Sequence, residues 1–182
     1  MIIGVTGIIG SGKSTAAVML SECLDAVCID VDKAGHVVLA KNNFVRFWLK
    51  ILFGSVERSI IAGQVFSSPV KLFLLNTLTH PFMRRSIRRT LRDSSKSYVL
   101  DAALLFQMRL DKYCDKVVFV EAKKSLIYAR LSAAGLTRQQ IARRLAANQK
   151  VFHYKKRADK IVLNNGTKTA LRKNIEKIGY IS

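Results

Sequence analysis

The sequence predicts an α/β fold of three layers, in which helices cover both faces of a five-stranded parallel sheet, with a helical insert and a later helical excursion added to it. Three observations predict it. Short apolar runs alternate with stretches of helical spacing, and a glycine-rich segment joins the first run to the first helical stretch. The second and third runs stand about 65 residues apart, where a crossover needs about a dozen.

Ile2 to Val5 reads as the first strand, stopped by Thr6 and Gly7, and Lys13 to Leu24 as the helix after it. Val27 to Val31 is the second strand, and beyond it the pattern changes. Phe44 to Phe53 and Pro69 to Leu78 carry apolar residues at helical spacing, and Pro81 to Leu91 reads as a separate helix introduced by the His80-Pro81 step. Trp48, with Phe44, Phe47 and Phe53, is expected to pack in the core of this insert. The third strand is led by Tyr98 to Leu100, the fourth is Val117 to Val120, and the fifth is Lys160 to Leu163. Between the last two, residues 123–158 have helical patterning and hold ten Lys or Arg without one acid, a segment expected to gain little from packing and to repel itself. The pattern divides the chain into a core of residues 1–32, 97–122 and 159–182, a helical subdomain over 33–96 and a second helical excursion over 123–158.

Hydrophobic residues make up 49% of the 182 positions and charged residues 24%, the balance of a folded globular chain. Thirty-one Lys plus Arg against 12 Asp plus Glu leave a formal charge of +19, so an anionic partner is expected. Nucleic acid, an acidic membrane surface and a multiply phosphorylated small molecule all fit that charge. Cys23, Cys28 and Cys114 form no CxxC pair and no basic n-region precedes the first apolar residues, which points to a reducing, cytoplasmic location without a disulfide framework or a membrane span. His36, His80 and His153 share no metal-ligand spacing.

Gly7-Ile8-Ile9-Gly10-Ser11-Gly12-Lys13-Ser14 fits G-x-x-x-x-G-K-[ST], directly after a strand and opening a helix. Glycines let successive backbone N–H groups turn inward around the β- and γ-phosphates of a nucleotide, and the helix N-terminus adds its positive dipole end. Lys13 then reaches the phosphates and Ser14 can ligate Mg²⁺. Gly7, Gly10, Ser11, Gly12, Lys13, Ser14 and Thr15 are therefore candidate nucleotide-binding residues, with ATP as co-substrate and Mg²⁺ as its ion.

Asp30 and Asp32 follow the second strand, and a period of two puts both side chains on one side of an extended chain, toward the phosphates. An Asp there can accept a proton from an attacking hydroxyl; a pair of exposed turn acids is the plainer alternative. Asp101 ends the third strand, where its carboxylate would help Ser14 hold Mg²⁺ or would cap a following helix. Arg84, Arg85, Arg88, Arg89 and Arg92 gather on one side of a helix, as a solvated basic face or, for Arg84 and Arg85, as contacts to an anionic substrate. His80 reads as a packed structural residue or a substrate contact. Among Arg130, Arg138, Arg143 and Arg144, an arginine closing over ATP would neutralise charge on the transferring phosphoryl group, and Arg130 is the chosen candidate.

On these residues the chain resembles the dephospho-coenzyme A kinases, nearly end to end. GVTGIIGSGKST looks like the family's GLTGGIGSGKS, Ile29 to His36 (IDVDKAGH) is similar to IDAD-x-x-A, and Glu57 to Phe66 (ERSIIAGQVF) looks like DR-x-x-L-x-x-x-VF. Leu75 to Pro81 (LNTLTHP) resembles LN-x-I-x-HP, Asp101 to Gln107 (DAALLFQ) resembles D-x-PLLFE, and Ala158 to Gly166 (ADKIVLNNG) resembles AD-x-V-I-D-N-x-G. The resemblance implies a P-loop NTPase fold and transfer of the γ-phosphoryl of ATP to the ribose 3′-hydroxyl of dephospho-coenzyme A. It implies that Asp32 is the base and that Asn164 lies at the nucleotide, with Asp30, His80, Arg84 and Arg85 at the acceptor, and that residues 1–32, 97–122 and 159–182 are the nucleotide-binding core, 33–96 the substrate domain and 123–158 a lid. ATP and dephospho-coenzyme A are then the expected partners, with no membrane and no nucleic acid; oligomeric state is left open. Ala103, Gln107 and Ala133 depart from the family pattern, as does Asn148 where glutamine is usual, but Lys13, Ser14, Asp30 and Asp32 are present and activity is expected. The alternatives are another P-loop small-molecule kinase, such as a nucleoside monophosphate kinase, and an inactive homologue that binds nucleic acid.

Overall fold

The computed structural model describes residues 1–65 and 68–179, so Phe66 of the ERSIIAGQVF stretch lies outside the described residues, as does the side chain of His36. Along the chain the elements run β1 (Ile2–Gly7), α1 (Lys13–Cys23), β2 (Val27–Asp30), α2 (Val31–Lys41), α3 (Asn43–Phe53), α4 (Arg58–Val65) and α5 (Pro69–Thr90). They continue as β3 (Tyr98–Asp101), β4 (Lys116–Glu121), α6 (Lys124–Ala133), α7 (Arg138–Ala147), α8 (Gln149–His153), β5 (Lys160–Leu163) and α9 (Lys168–Gly179). Two compact units result: one of Met1–Asp30 with the described residues of Asp93–Ser182, the other of Val31–Arg92.

The first unit holds one five-stranded sheet in the order β2-β3-β1-β4-β5, every pairing parallel. β1, β3 and β4 are nearly continuous apolar runs because both of their faces are covered, as parallel sheets require. Ile3, Val5, Val99, Val118, Val120 and Val162 from the strands meet Ala16, Ala17 and Leu20 of α1 and Leu171 and Ile175 of α9 in one core. From β1 the chain goes to β2 and β3 on one side and to β4 and β5 on the other. The order therefore switches beside β1, and the carboxyl end of β1 is where such a sheet opens a crevice for ligand.

Residues 123–158 depart from the expectation of loose packing. Ala122, Ile127, Leu131 and Ile141 form a buried cluster of their own, with Ile8, Ile9, Leu136 and Leu145 packed against it. The apolar residues at helical spacing outweigh the repulsion of the cations, several of which are matched: Arg130 by the carbonyls of Gly10, Ser11 and Asn164, Lys155 by Glu121 and Arg157 by Asp111. The α7 N-terminus is closed by a capping box: Gln140 N–H donates to Thr137 Oγ1 at 3.3 Å, and Thr137 N–H to Gln140 Oε1 at 3.0 Å.

Among its described residues the second unit holds the helices α2 to α5 and no strand. Asn42 caps α3 by accepting from Val45 N–H at 3.1 Å, and Ser68 with Pro69 opens α5. Val45, Leu49 and Phe53 of α3 pack with Ile61 and Val65 of α4 and with Leu72, Leu75, Leu78 and Phe82 of α5. Two expectations are corrected here. Pro81 does not start a helix: α5 runs through it as one helix of 22 residues, because packing on both sides of the step outweighs the one hydrogen bond that proline cannot donate. Of the expected aromatic core only Phe53 is buried, whereas Phe44, Phe47 and Trp48 are exposed, since α3 turns a single face to its neighbours. Among the described residues no helix is long and apolar enough to cross a membrane.

Candidate active site at the carboxyl ends of the strands

β1 ends at Gly7, and the loop from Ile8 turns into α1 at Lys13. Gly12 sits in the left-handed region at φ 88°, where an L side chain is strained, and a Cβ there would collide with the Asn164 carboxamide nitrogen. A Cβ on Gly7 would likewise collide with the backbone carbonyl of Val120 in β4. Gly10 lies against Leu131 and Ile127, at 3.0 and 3.1 Å from where its Cβ would be. The glycines thus let the loop close onto β4, α6 and the end of β5, and they leave its backbone free of side chains.

The loop is fastened from behind by two residues. Arg130 of α6 donates from Nη1 to the carbonyls of Gly10 and Ser11 at 3.3 and 3.1 Å and from Nη2 to the Asn164 carbonyl at 3.0 Å. Asn164, buried just past β5, donates its carboxamide to the Ser11 carbonyl at 2.8 Å. Ser11 is wholly buried and its Oγ has no hydrogen-bond partner. Sequence reading placed Arg130 over the phosphates; here it grips the carbonyls of the loop that would hold them.

Lys13 Nζ donates to Asp101 Oδ1 in an ion pair whose side chains are 11% and 5% exposed. Asp101 ends β3 as a strand residue, so the helix-cap alternative falls away. Asp30 stands directly across from Asp101 in the β2–β3 register, which puts two carboxylates side by side at the sheet end. Ser14 and Thr15 occupy the exposed first turn of α1. Asp32 corrects the period-two argument: α2 starts at Val31, so Asp32 lies in a helical first turn, exposed, and not on an extended chain two residues past Asp30. An acid at a helix N-terminus complements the dipole, which favours helix directly after Asp30.

His80, Arg84 and Arg85 lie on α5 in the second unit, His80 and Arg84 one turn apart and half-buried, Arg85 exposed. Burial holds the His80 imidazole below the usual histidine range, toward its neutral form. Gln107 is partly buried and its Oε1 has no partner, so the departure from glutamate leaves an acceptor unsatisfied. Sequence reading missed Glu121, which ends β4 and pairs with Lys155 at 2.7 Å; no motif marks it, though its place at the end of an apolar run does. Among the described residues no group of three or more His, Cys, Asp or Glu could hold a metal ion.

Comparison with known proteins bears directly on this arrangement. Residues 1–170 match the sequence model of the family described as dephospho-CoA kinase. The dephospho-CoA kinase of Chlorobaculum tepidum is 31% identical over 98% of this chain and 93% of that protein. That of Borrelia garinii is 34% identical over 97% and 92%. A solved structure from Thermus thermophilus superposes with a TM-score of 0.80 at 29% identity, covering 100% of this chain and 98% of that one. With the loop, the sheet order and the match all spanning the same residues, the chain belongs to the dephospho-CoA kinase family.

Proposed function

We propose that the chain transfers the γ-phosphoryl group of ATP to the ribose 3′-hydroxyl of dephospho-coenzyme A, releasing coenzyme A and ADP. The observation that carries the reading is the Lys13–Asp101 pair at the mouth of the glycine loop, in a chain whose family match runs from residue 1 to 170. Gly10 and Gly12 present backbone N–H groups to the phosphates, Gly7 at the end of β1 and Ser11, whose own N–H donates to the Ile8 carbonyl at 3.1 Å, fix the turn around them, and Ser14 and Thr15 continue the cradle into α1. Lys13 leaves Asp101, wholly or in part, to contact the β- and γ-phosphates, which gives the buried ammonium a new counter-charge. Arg130 and Asn164 keep the loop carbonyls turned away from the phosphates, so that the amide edges face them.

Asp32 is the proposed base, taking the proton of the 3′-hydroxyl as it attacks. Asp30, His80, Arg84 and Arg85 are proposed to hold the acceptor, with residues 33–96 as its domain and 123–158 as a lid over ATP. Mg²⁺ fits the donors present: the Ser14 hydroxyl and the Asp101 carboxylate are hard oxygens, fewer than Mg²⁺ takes, with phosphate oxygens and water to complete the set. Bound there, the ion would neutralise charge on the β- and γ-phosphates. Free thiols at Cys23, Cys28 and Cys114 support a cytoplasmic location.

The test is ATP consumption with dephospho-coenzyme A, with the position of the new phosphate determined by NMR. ADP formed together with a 3′-phosphate is expected. Preference for a nucleoside monophosphate, or ATP loss with no acceptor, would sink the assignment.

A further inference from the structure

Helix α3 carries more apolar surface than its own unit covers. Val45, Leu49 and Phe53 supply its buried face. Phe44, Phe47, Trp48, Ile51 and Leu52 fall within an arc of about 140° beside that face. They are 56, 60, 38, 57 and 37% exposed. The rings brace one another: Phe47 and Phe44 lie 5.8 and 6.3 Å from Trp48, both edge-on, and Phe44 is 5.9 Å from Phe82. The face is therefore a fixed surface of touching rings rather than scattered exposed residues, the kind that marks an interaction site.

Its charge is equally one-sided. Arg46 and Lys50 stand one turn apart at the edge of the apolar arc, and α3 has no acid. Eleven Lys or Arg stand against only Asp32 and Glu57 in the whole stretch from Val31 to Arg92. Beside the arc, Arg46, Lys50 and Ser55 share an open hollow of about 470 Å³ with Phe47 and Val56, so cations, a hydroxyl and two apolar side chains line one concavity.

We propose that this face docks on an anionic phospholipid surface. Phe47, Trp48 and Ile51 enter the boundary between headgroups and acyl chains, while Arg46 and Lys50 pair with lipid phosphates and the hollow takes one headgroup. A basic edge beside an aromatic and aliphatic face is the pattern of a helix that lies in the interface plane without crossing it. The expectation of no membrane rested on the lack of a span, which α3 does not need. A second copy of this chain is the weaker occupant, because face-to-face pairing would bring two sets of Arg46 and Lys50 together in a protein of charge +19.

Trp48 is the chain's only tryptophan and sits in the face itself, so its emission reports the contact. Full-length protein is titrated with phosphatidylglycerol/phosphatidylcholine vesicles and with phosphatidylcholine alone, and sedimentation gives the bound fraction. A blue shift and co-sedimentation with the anionic vesicles, weakened by salt, are expected. Arg46→Glu/Lys50→Glu should lower partitioning at least about tenfold, given about 1 kcal/mol per cation at such a surface. Phe47→Ser/Ile51→Ser should lower it by a similar factor, and the exposed pair Lys173→Glu/Lys177→Glu on α9, with the same charge change, should lower it far less. All of these positions are exposed, and thermal melts verify the fold. The proposal is overturned by an unshifted Trp48, by equal loss from the α9 pair, which would mean bulk attraction only, or by a shift that appears without vesicles and follows a dimer mass. It is also overturned if Phe47→Ser/Ile51→Ser raises KM for dephospho-coenzyme A in lipid-free assays, since the face would then belong to the acceptor.

Discussion

At the carboxyl end of the sheet in the first unit, polar groups pair away from water, Lys13 with Asp101, Asn164 with the Ser11 carbonyl and Arg130 with three carbonyls, the Ser11 hydroxyl excepted. In the helical unit the arrangement is reversed, with wide apolar surface left in water and charged side chains standing on exposed turns of α2 and α5. The first region is a preformed site whose residue types are dictated by backbone geometry and desolvation. The second is a surface on which many residue types fit the fold, so its chemistry is chosen by what it must bind.

That contrast predicts where substitutions damage both stability and turnover and where they damage turnover alone. Lys13→Ala should lower turnover by 10³-fold or more, about the scale of losing a cation from a phosphoryl-transfer site. It should also destabilise, by about 3 kcal/mol, because Asp101 is left buried without a counter-charge. Lys13→Met/Asp101→Asn should recover most of the melting temperature and none of the turnover. Steady-state kinetics with denaturant melts separates the two effects, and near-normal turnover in Lys13→Ala would remove the glycine loop from the reaction.

Asp32→Asn tests the other region. Asp32 is exposed in the first turn of α2, so losing its charge should cost no more than about 1 kcal/mol of stability while kcat falls by about 10²–10⁴ and KM for both substrates holds. If Asp30→Asn does equal or greater harm and Asp32→Asn is mild, the base is Asp30, the residue in register with Asp101.

The same contrast explains how much could be read from residues alone. All five strands were legible, because a parallel sheet covered on both faces writes itself as short apolar runs. The glycine loop was legible because only glycine tolerates Gly12's φ and Gly7's approach to Val120. The Arg130 grip was not, since it joins residues 120 positions apart through backbone carbonyls, which carry no sequence signature. In the helical unit, α2 and α4 were missed and Pro81 was misread, because short helices whose polar faces are irregular lack a clear period. Helical spacing located Phe44, Phe47 and Trp48 on one helix but could not tell an inward face from an outward one.

Arg130 offers a sharper cut. Arg130→Ala removes three hydrogen bonds from a charged donor, and ATP affinity should fall by about 10- to 100-fold with kcat less affected. Arg130→Lys should rescue little, because an ammonium cannot span the Gly10, Ser11 and Asn164 carbonyls as a guanidinium does. Hydrogen exchange with an ATP analogue gives the companion result. Ile127 and Leu131 anchor α6 as Ile141 anchors α7 and Val151 anchors α8, so added protection should spread over residues 123–158; an unchanged segment would make the lid a solvated surface only.

The smallest effect belongs to His80. Burial lowers its folded-state pKa below the ordinary value of 6.5, so the unfolded chain takes up a proton at a pH where the folded chain does not. Where the unfolded state binds more protons, stability rises with pH. The contribution of His80 is therefore fully present above about pH 7, is lost as pH falls through 6.5, and levels off once the folded imidazole also titrates. Urea melts of the wild type and of His80→Gln across that range should show a steeper fall for the wild type. The glutamine keeps a polar group of similar reach without a titrating nitrogen, so packing loss shifts both ends of its curve alike. Parallel curves would mean that the imidazole is hydrated in solution, and the half-buried His80 would then be no different from the exposed polar residues around it.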